Sequence, residues 1–168
     1  MPAADHATLY RLTTWWRFDA PLDAVWAAIA DADHWSLWWP GVDSVTLAPG
    51  DARGLGALRR YQCRGALPLR LCFTARVTRI VPPCLMEGRA SGDLIGLGRC
   101  RLSEARGQTR VCFDWRVQTT GLWLNRLAPL AHPLLRWNHD RLMRAGGRGL
   151  ARYLARAETG HALKDEGA

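Results

Sequence analysis

Polar and apolar positions alternate from Thr8 to Phe18, with Leu12, Thr14, Trp16 and Phe18 on one side and Arg11, Thr13, Trp15 and Arg17 on the other. A period of two is that of a strand. The period then changes. Leu22, Val25, Trp26 and Ile29 recur at spacings of three and four, which predicts a helix over 22–30 with one apolar stripe. Pro21 and Asp23 suit its first turn, where a missing N–H costs nothing and a carboxylate meets the helix dipole. Asp33 is expected to cap a second short helix over 34–39, ended by Pro40-Gly41. Helices this short must lie against something else.

Beyond Val42 turn signals recur about every ten residues: Pro49-Gly50-Asp51, Gly65 to Pro68, Pro82-Pro83, Ser91-Gly92-Asp93 and Ala105-Arg106-Gly107. They separate predicted strands at 43–48, 56–64, 69–81, 84–91, 94–104 and 109–119, and connections this short favour an antiparallel meander. Val111, Phe113, Trp115 and Val117 alternate with Arg110, Cys112, Asp114 and Arg116, so the first set should face inward. Leu71, Phe73, Ala75 and Val77 are the inward set of the longer strand. Gly96, Gly98, Cys100 and Leu102 share another inner face, where the glycines either remove side-chain volume from the interior or mark a bulge or bend. The last segment, 122–157, has helical period along Leu127, Leu134, Asn138, Leu142, Ala145 and Gly149. Pro129 and Pro133 should disturb its start, leaving a continuous helix over 133–157 and fraying from Glu158 onward.

At 168 residues and 48% hydrophobic, the chain fits one domain, predicted over 8–157 with tails at 1–7 and 158–168. No apolar run approaches a membrane span, and the N-terminus lacks a basic region followed by an apolar one, which predicts a cytoplasmic protein. The five cysteines, Cys63, Cys72, Cys84, Cys100 and Cys112, form no Cys-x-x-Cys pair and read as structural thiols, so neither metal nor other cofactor is expected. The net charge of +8 rests almost wholly on arginine, Lys164 being the single lysine. With no dense basic run, this reads as the arginine usage of a high-GC genome, and no nucleic-acid partner is expected.

The order of strand, two short helices, six strands and long helix is that of the α+β helix-grip fold. Ala20-Pro21, Val25-Trp26, Asp31, Trp35 and Trp39-Pro40-Gly41-Val42 resemble the opening of the SRPBCC superfamily, which includes START-type lipid carriers, plant pathogenesis-related proteins and polyketide cyclases. So do Val77-Thr78-Arg79-Ile80 with Pro82-Pro83, Gly92-Asp93-Leu94 with Gly96 and Gly98, Thr109-Arg110-Val111 with Asp114-Trp115, and Trp137-Asn138-His139 with Met143 and Gly146. Together they resemble a bacterial polyketide cyclase/dehydrase-like branch over about residues 8–156. The resemblance implies a curved seven-stranded antiparallel sheet wrapped around the C-terminal helix, with a deep hydrophobic pocket between them. It implies no particular reaction.

The inward positions expected to line that pocket are Trp16 and Phe18 on the first strand, Ile29 on the first helix, and Trp35, Trp38 and Trp39 after it. Leu71, Phe73 and Ala75 follow, then Gly96, Gly98 and Cys100, then Phe113, Trp115 and Val117, and finally Leu134, Asn138 and Leu142 on the long helix. Trp35, Trp38 and Trp39 form either the mouth of the pocket or a plug for the sheet's open end. Phe73, Phe113 and Trp115 serve the pocket or ordinary core. Asn138 either bonds a ligand carbonyl or satisfies a buried group, whereas His139, about 100° further round, is expected in solvent beside Asp140. Asp114 should point outward to an arginine, and Glu87 and Arg89 should form a mutual or cross-strand ion pair. No acid/base pair and no activated nucleophile emerges, so no catalytic residue is assigned. The leading expectation is a binder of a small hydrophobic molecule of lipid, polyketide or isoprenoid type. A cyclase/dehydratase using the same pocket is the second. A membrane or protein contact through exposed Trp15, Trp38 and Trp123 is the third. Oligomeric state is not legible.

Overall fold

The computed structural model describes residues 9–65, 70–120 and 128–165, with side chains of the final helix described from 133 to 157. Seven strands, β1 (Leu9–Phe18), β2 (Val42–Ala48), β3 (Leu58–Arg64), β4 (Arg70–Val81), β5 (Leu85–Gly92), β6 (Leu94–Ala105) and β7 (Gln108–Thr119), make one antiparallel sheet. Their order is β1-β7-β6-β5-β4-β3-β2, so consecutive strands from β2 to β7 are neighbours and β1 closes on β7. The chain passes from one edge to the other through α1 (Leu22–Ala30) and a short 3-10 helix (Ala32–Leu37). The last element is α2 (Ala128–Asp165).

These bounds lie within two residues of the expected strands, because each strand carries its own alternation. Two helical expectations need correction. The second helix is a 3-10 turn over 32–37, and Asp33 does not cap it. The Asp33 carboxylate instead accepts from the Thr46 backbone N–H at 2.6 Å, tying the turn to β2. Helix α2 starts at Ala128, contains Pro133, and continues to Asp165 rather than ending near 157. Pro129 falls in the first turn, where backbone N–H groups have no intrahelical partner. Past Glu158 the strong helix formers Ala162, Leu163 and Lys164 carry the helix over Gly160. Leu122, Trp123 and Leu127, and the turn at 66–68, lie outside the described residues.

The core sits where β1, β6 and β7 meet α1 and the second half of α2. Val25 and Ile29 from α1 and Leu150 from α2 are fully buried against Val111, Leu102 and Phe18. Trp16 packs edge-on against Phe113 at 4.7 Å and Trp39 at 5.2 Å. One buried polar group joins the strands to the helical crossing: Thr109 on β7, fully buried, donates its hydroxyl to the Ala20 carbonyl at 2.7 Å. Thr109→Val keeps the shape and removes the donor. A loss of about 1–2 kcal/mol in a denaturant unfolding curve is expected.

Candidate functional site

Between the sheet and α2 lies a cavity of about 200 Å³. A single water needs only about 10–15 Å³ of such space, so this one has room for an organic molecule. Its wall is a belt of rings in contact: Trp35 to Tyr61 at 5.4 Å, Tyr61 stacked on Phe73 at 5.2 Å, and Phe73 edge-on to Trp115 at 5.8 Å. Trp39 and Phe113 close one side.

The space exists because side chains are missing from the middle of the inner face. Register aligns Val77, Gly88, Gly98, Trp115 and Leu12 in one row across five strands, with two adjacent glycines at its centre. A Cβ on Gly98 would stand 2.8 Å from the Trp115 ring, so this glycine lets the indole lie over β6. Gly96 is different. It does not line the cavity. Its φ of +151° and the Arg116 carbonyl standing where a Cβ would be show a close backbone approach to β7, the alternative reading of a strand glycine.

Of the residues expected to line a pocket, Ile29, Trp35, Trp39, Leu71, Phe73, Ala75, Gly98, Cys100, Phe113, Trp115, Val117, Asn138 and Leu142 border this cavity. Trp16, Phe18, Trp38 and Leu134 do not. Trp16 and Phe18 sit deeper in the core, Trp16 against Gly147 of α2. Trp38 is buried at 4% exposure, stacked on Trp39 at 5.3 Å, so it is neither a lid nor an exposed contact. Leu134 is 47% exposed, and Leu135 takes its place. At about 100° per residue Leu135 lies about 20° from Leu142 around the helix, and Leu134 about 80°.

Trp35 and Trp39 owe their positions to their indole N–H groups. Trp35 donates to the Ile29 carbonyl at 3.0 Å, and Trp39 to the Leu142 carbonyl at 3.1 Å. Gly146 leaves the flat surface on α2 that Trp39 needs.

The polar groups at the cavity are few. Tyr10 and Thr119 bond each other at one end. Tyr61 lies beside Arg59, whose guanidinium donates to the Ala30 carbonyl at the end of α1 at 2.9 Å; burial raises the Tyr61 pKa. The Asn138 amide fills the space over Gly65. Cys63 and Cys100 are held as thiols, burial pushing Cys63 up to about 12 and Cys100 also upward.

His139 departs most from expectation. It borders the cavity, and its Nε2 is buried with no hydrogen-bond partner. Nδ1 lies 3.4 Å from the Asp140 carboxylate, an acceptor only, so Nδ1 carries the proton and Nε2 presents a lone pair. The buried stripe of α2 is wide enough to hold Asn138 and His139 together, which a one-line stripe does not reveal. Burial pushes the imidazole pKa below its ordinary range against the opposing pull of Asp140, and Arg136 lowers it further. Below the usual histidine value of about 6.5 the unfolded chain therefore takes up a proton that the folded protein refuses. Stability should fall as pH drops through that window, and His139→Leu should flatten the fall. Melting temperatures at about pH 7.5 and about pH 5.5, about one unit either side of the free imidazole pKa, check this.

Tyr10, Leu12, Tyr61, Met86, Thr119, Leu135 and Met143 also border the cavity, although the sequence reading did not place them there. Alternation carried the signal for Tyr10 and Leu12, which share a face with Trp16. On β3 the inward Arg59 masked the signal for Tyr61.

Glu87 and Arg99 touch the cavity's border, but their charged ends pair with each other at 2.7 Å, with Arg79 4.0 Å from Glu87. Arg99 and Arg79, not Arg89, are thus the partners of Glu87. Asp114 points outward as expected, accepting from Arg101 and from Thr13. Burial pushes its carboxyl up, but the Thr13 hydroxyl and Arg101 outweigh burial and hold it below the usual range. Among the described residues no cluster of three His, Cys, Asp or Glu could hold a metal ion, and no helix is long and apolar enough to cross a membrane.

This architecture has known counterparts. The structure of protein TTHA0849 from Thermus thermophilus superposes with a TM-score of 0.66 at 15% identity, over 87% of this chain and 99% of that one. The Zhui aromatase/cyclase from Streptomyces sp. R1128 gives 0.69 at 16%, over 89% and 95%. Protein Ms6760 from Mycobacterium smegmatis gives 0.63 at 17%, over 88% and 92%. At such identities the likeness establishes the fold and nothing finer. No curated protein matches the chain. The model of the family described as polyketide cyclase/dehydrase and lipid transport matches residues 11–155, nearly the whole sheet and the packed part of α2. A seven-stranded antiparallel sheet holding one long helix across an apolar cavity, matched along its length by that model, places this chain in the polyketide cyclase/dehydrase and lipid transport family of the SRPBCC superfamily, with the helix-grip fold.

Proposed function

We propose that this chain binds a small, largely apolar molecule in the cavity, with residues 8–157 as the binding unit of a cytoplasmic protein. The observation that carries the reading is the belt Trp35–Tyr61–Phe73–Trp115 around open space. Apolar burial at about 25 cal/mol per Å² supplies the affinity. Rings in offset and edge-on contact favour a planar ligand of aromatic polyketide type over an isoprenoid or a straight acyl chain. Native mass spectrometry of protein purified from its own host should show a co-purifying apolar compound that organic extraction removes. A clean unliganded mass, together with no heat on isothermal titration with 2-naphthol, would overturn the reading.

His139 supports a second reading. A neutral imidazole with a free Nε2 lone pair over an apolar cavity could take a proton from a bound enol or hydroxyl, as a cyclase or dehydratase requires. A bound ligand whose donor group stays more than hydrogen-bond distance from Nε2 in a crystal structure would count against it.

A further inference from the structure

The outer face of the sheet follows from the same alternation as the cavity. Arg11 lies between the inward Tyr10 and Leu12, Arg116 between Trp115 and Val117, Leu97 between Gly96 and Gly98, Arg89 between Gly88 and Ala90, and Arg76 between Ala75 and Val77. Register joins them: Arg11 opposes Arg116, Arg116 opposes Leu97, Leu97 opposes Arg89 and Arg89 opposes Arg76. The result is one exposed row across five strands, spanning about 19 Å at strand spacing of about 4.8 Å.

Like charges directly opposite on adjacent strands destabilise a sheet, and this row holds two such pairs, Arg11 with Arg116 and Arg76 with Arg89. Among the described residues none of the four joins an ion pair. The neighbouring row shows the contrast. There Asp114, Arg99, Glu87 and Arg79 follow one another, and both carboxylates are paired with arginines. On the other side lies a third row, Leu9, Gln118 and Ile95. Leu9, Ile95 and Leu97 are 46%, 50% and 44% exposed.

We propose that this face docks on an anionic phospholipid bilayer, with Arg11, Arg116, Arg89 and Arg76 on lipid phosphates and Leu97, Ile95 and Leu9 entering the headgroup–acyl boundary. Guanidinium forks match phosphate oxygens in pairs, and phosphates relieve the repulsion along the row. The aliphatic side chains decide between two polyanions. Against a nucleic-acid backbone, where non-specific contact is ionic, exposed leucine and isoleucine gain nothing; at a bilayer surface their burial adds to the ionic attraction. This surface lies on the opposite side of the sheet from the cavity, and the proposal stands independently of what the cavity binds.

The test is co-sedimentation of the full chain at low salt with vesicles of phosphatidylcholine alone and of phosphatidylcholine mixed equally with phosphatidylserine. Binding to the mixed vesicles only, lost at high salt, is expected. Each cation near an anionic leaflet contributes about fivefold, so Arg89→Gln with Arg116→Gln should weaken partitioning by about 30-fold. Leu97→Ser should weaken it several-fold without changing charge, while Arg148→Gln with Arg152→Gln on the exposed side of α2 should leave it unchanged. Because the first pair relieves like-charge opposition, its melting temperature should equal or exceed that of the wild type, which separates lost docking from lost folding. The proposal is overturned by no association with the mixed vesicles, by an equal loss from the α2 pair, or by a lowered melting temperature in the first pair. Duplex DNA of random sequence binding as tightly as the mixed vesicles, with Leu97→Ser without effect, would assign the row to nucleic acid instead.

Discussion

Gly149→Ala is expected to lower the melting temperature by about 2–8 °C, for a net loss of about 1–2 kcal/mol at about 2–4 °C per kcal/mol for a domain of this size. In an isolated helix the same change would help, since alanine exceeds glycine in helix propensity by about 1 kcal/mol. Here the added Cβ would overlap the Trp38 carbonyl oxygen, with Pro40 close behind. A backbone carbonyl cannot swing aside as a side chain can. Either α2 lifts from the turn after the 3-10 helix, or Trp38 and Trp39 leave their stack. Overpacking typically costs about 1–3 kcal/mol, and against a rigid carbonyl the upper part of that range applies, about 2–3 kcal/mol, which outweighs the propensity gain. Gly147→Ala gives the comparison. Its Cβ would meet the Trp16 side chain at 3.0 Å, and a ring can shift, so the loss should be smaller. Thermal unfolding followed by circular dichroism ranks the two. A Gly149→Ala melting temperature at or above the wild type would show that the helix and the tryptophan turn are not in fixed contact.

Ala75→Phe should abolish binding of 2-naphthol, with at least about a 100-fold loss in affinity, which corresponds to about 2.8 kcal/mol. Ala75 borders the cavity on β4, in the row of Ala90 and Gly96, where inward side chains are small. A phenyl ring placed there occupies the space the ligand needs and gains apolar contacts from Phe73 and Trp115. Filling space already open should change stability by about 1 kcal/mol or less, unlike forcing a ring into packed core. Isothermal titration reads the first effect and denaturant unfolding the second. Undiminished binding in a stably folded Ala75→Phe protein would place the ligand elsewhere.

Strand positions were legible because the signal for a strand is local: Phe113, Trp115 and Val117 declare their face by alternating with their own neighbours. The same local signal gave α1 to the residue, from Leu22 to Ala30. The helical stripe of α2 is less legible, because three and four residue spacings fix a helix face only coarsely. A line drawn through Leu134 and Asn138 misses Leu135 and His139, each one residue and about 100° further round the helix. The tryptophans show a different limit. Trp35, Trp38 and Trp39 share one short segment, yet Trp39 lies at the cavity, Trp35 leans on Tyr61, and Trp38 is stacked beneath Trp39 with its carbonyl against Gly149. No spacing within the segment distinguishes them, because Tyr61, Leu142 and Gly149, which they meet, lie far along the chain.

Local signals suffice for the strands, their order, the inward face of each and the family resemblance, since propensity and periodicity act over a few residues. How the faces combine depends on pairing between strands distant in the chain. Gly88 and Gly98 form the floor of a cavity only because register makes them neighbours. Arg11, Arg76, Arg89 and Arg116, which in the chain look like ordinary outward positions on separate strands, become one row of cations outside any ion pair among the described residues for the same reason. Local signals fix which way a side chain points, whereas cross-strand pairing fixes what it meets, and both the open space and the exposed charge belong to the meeting.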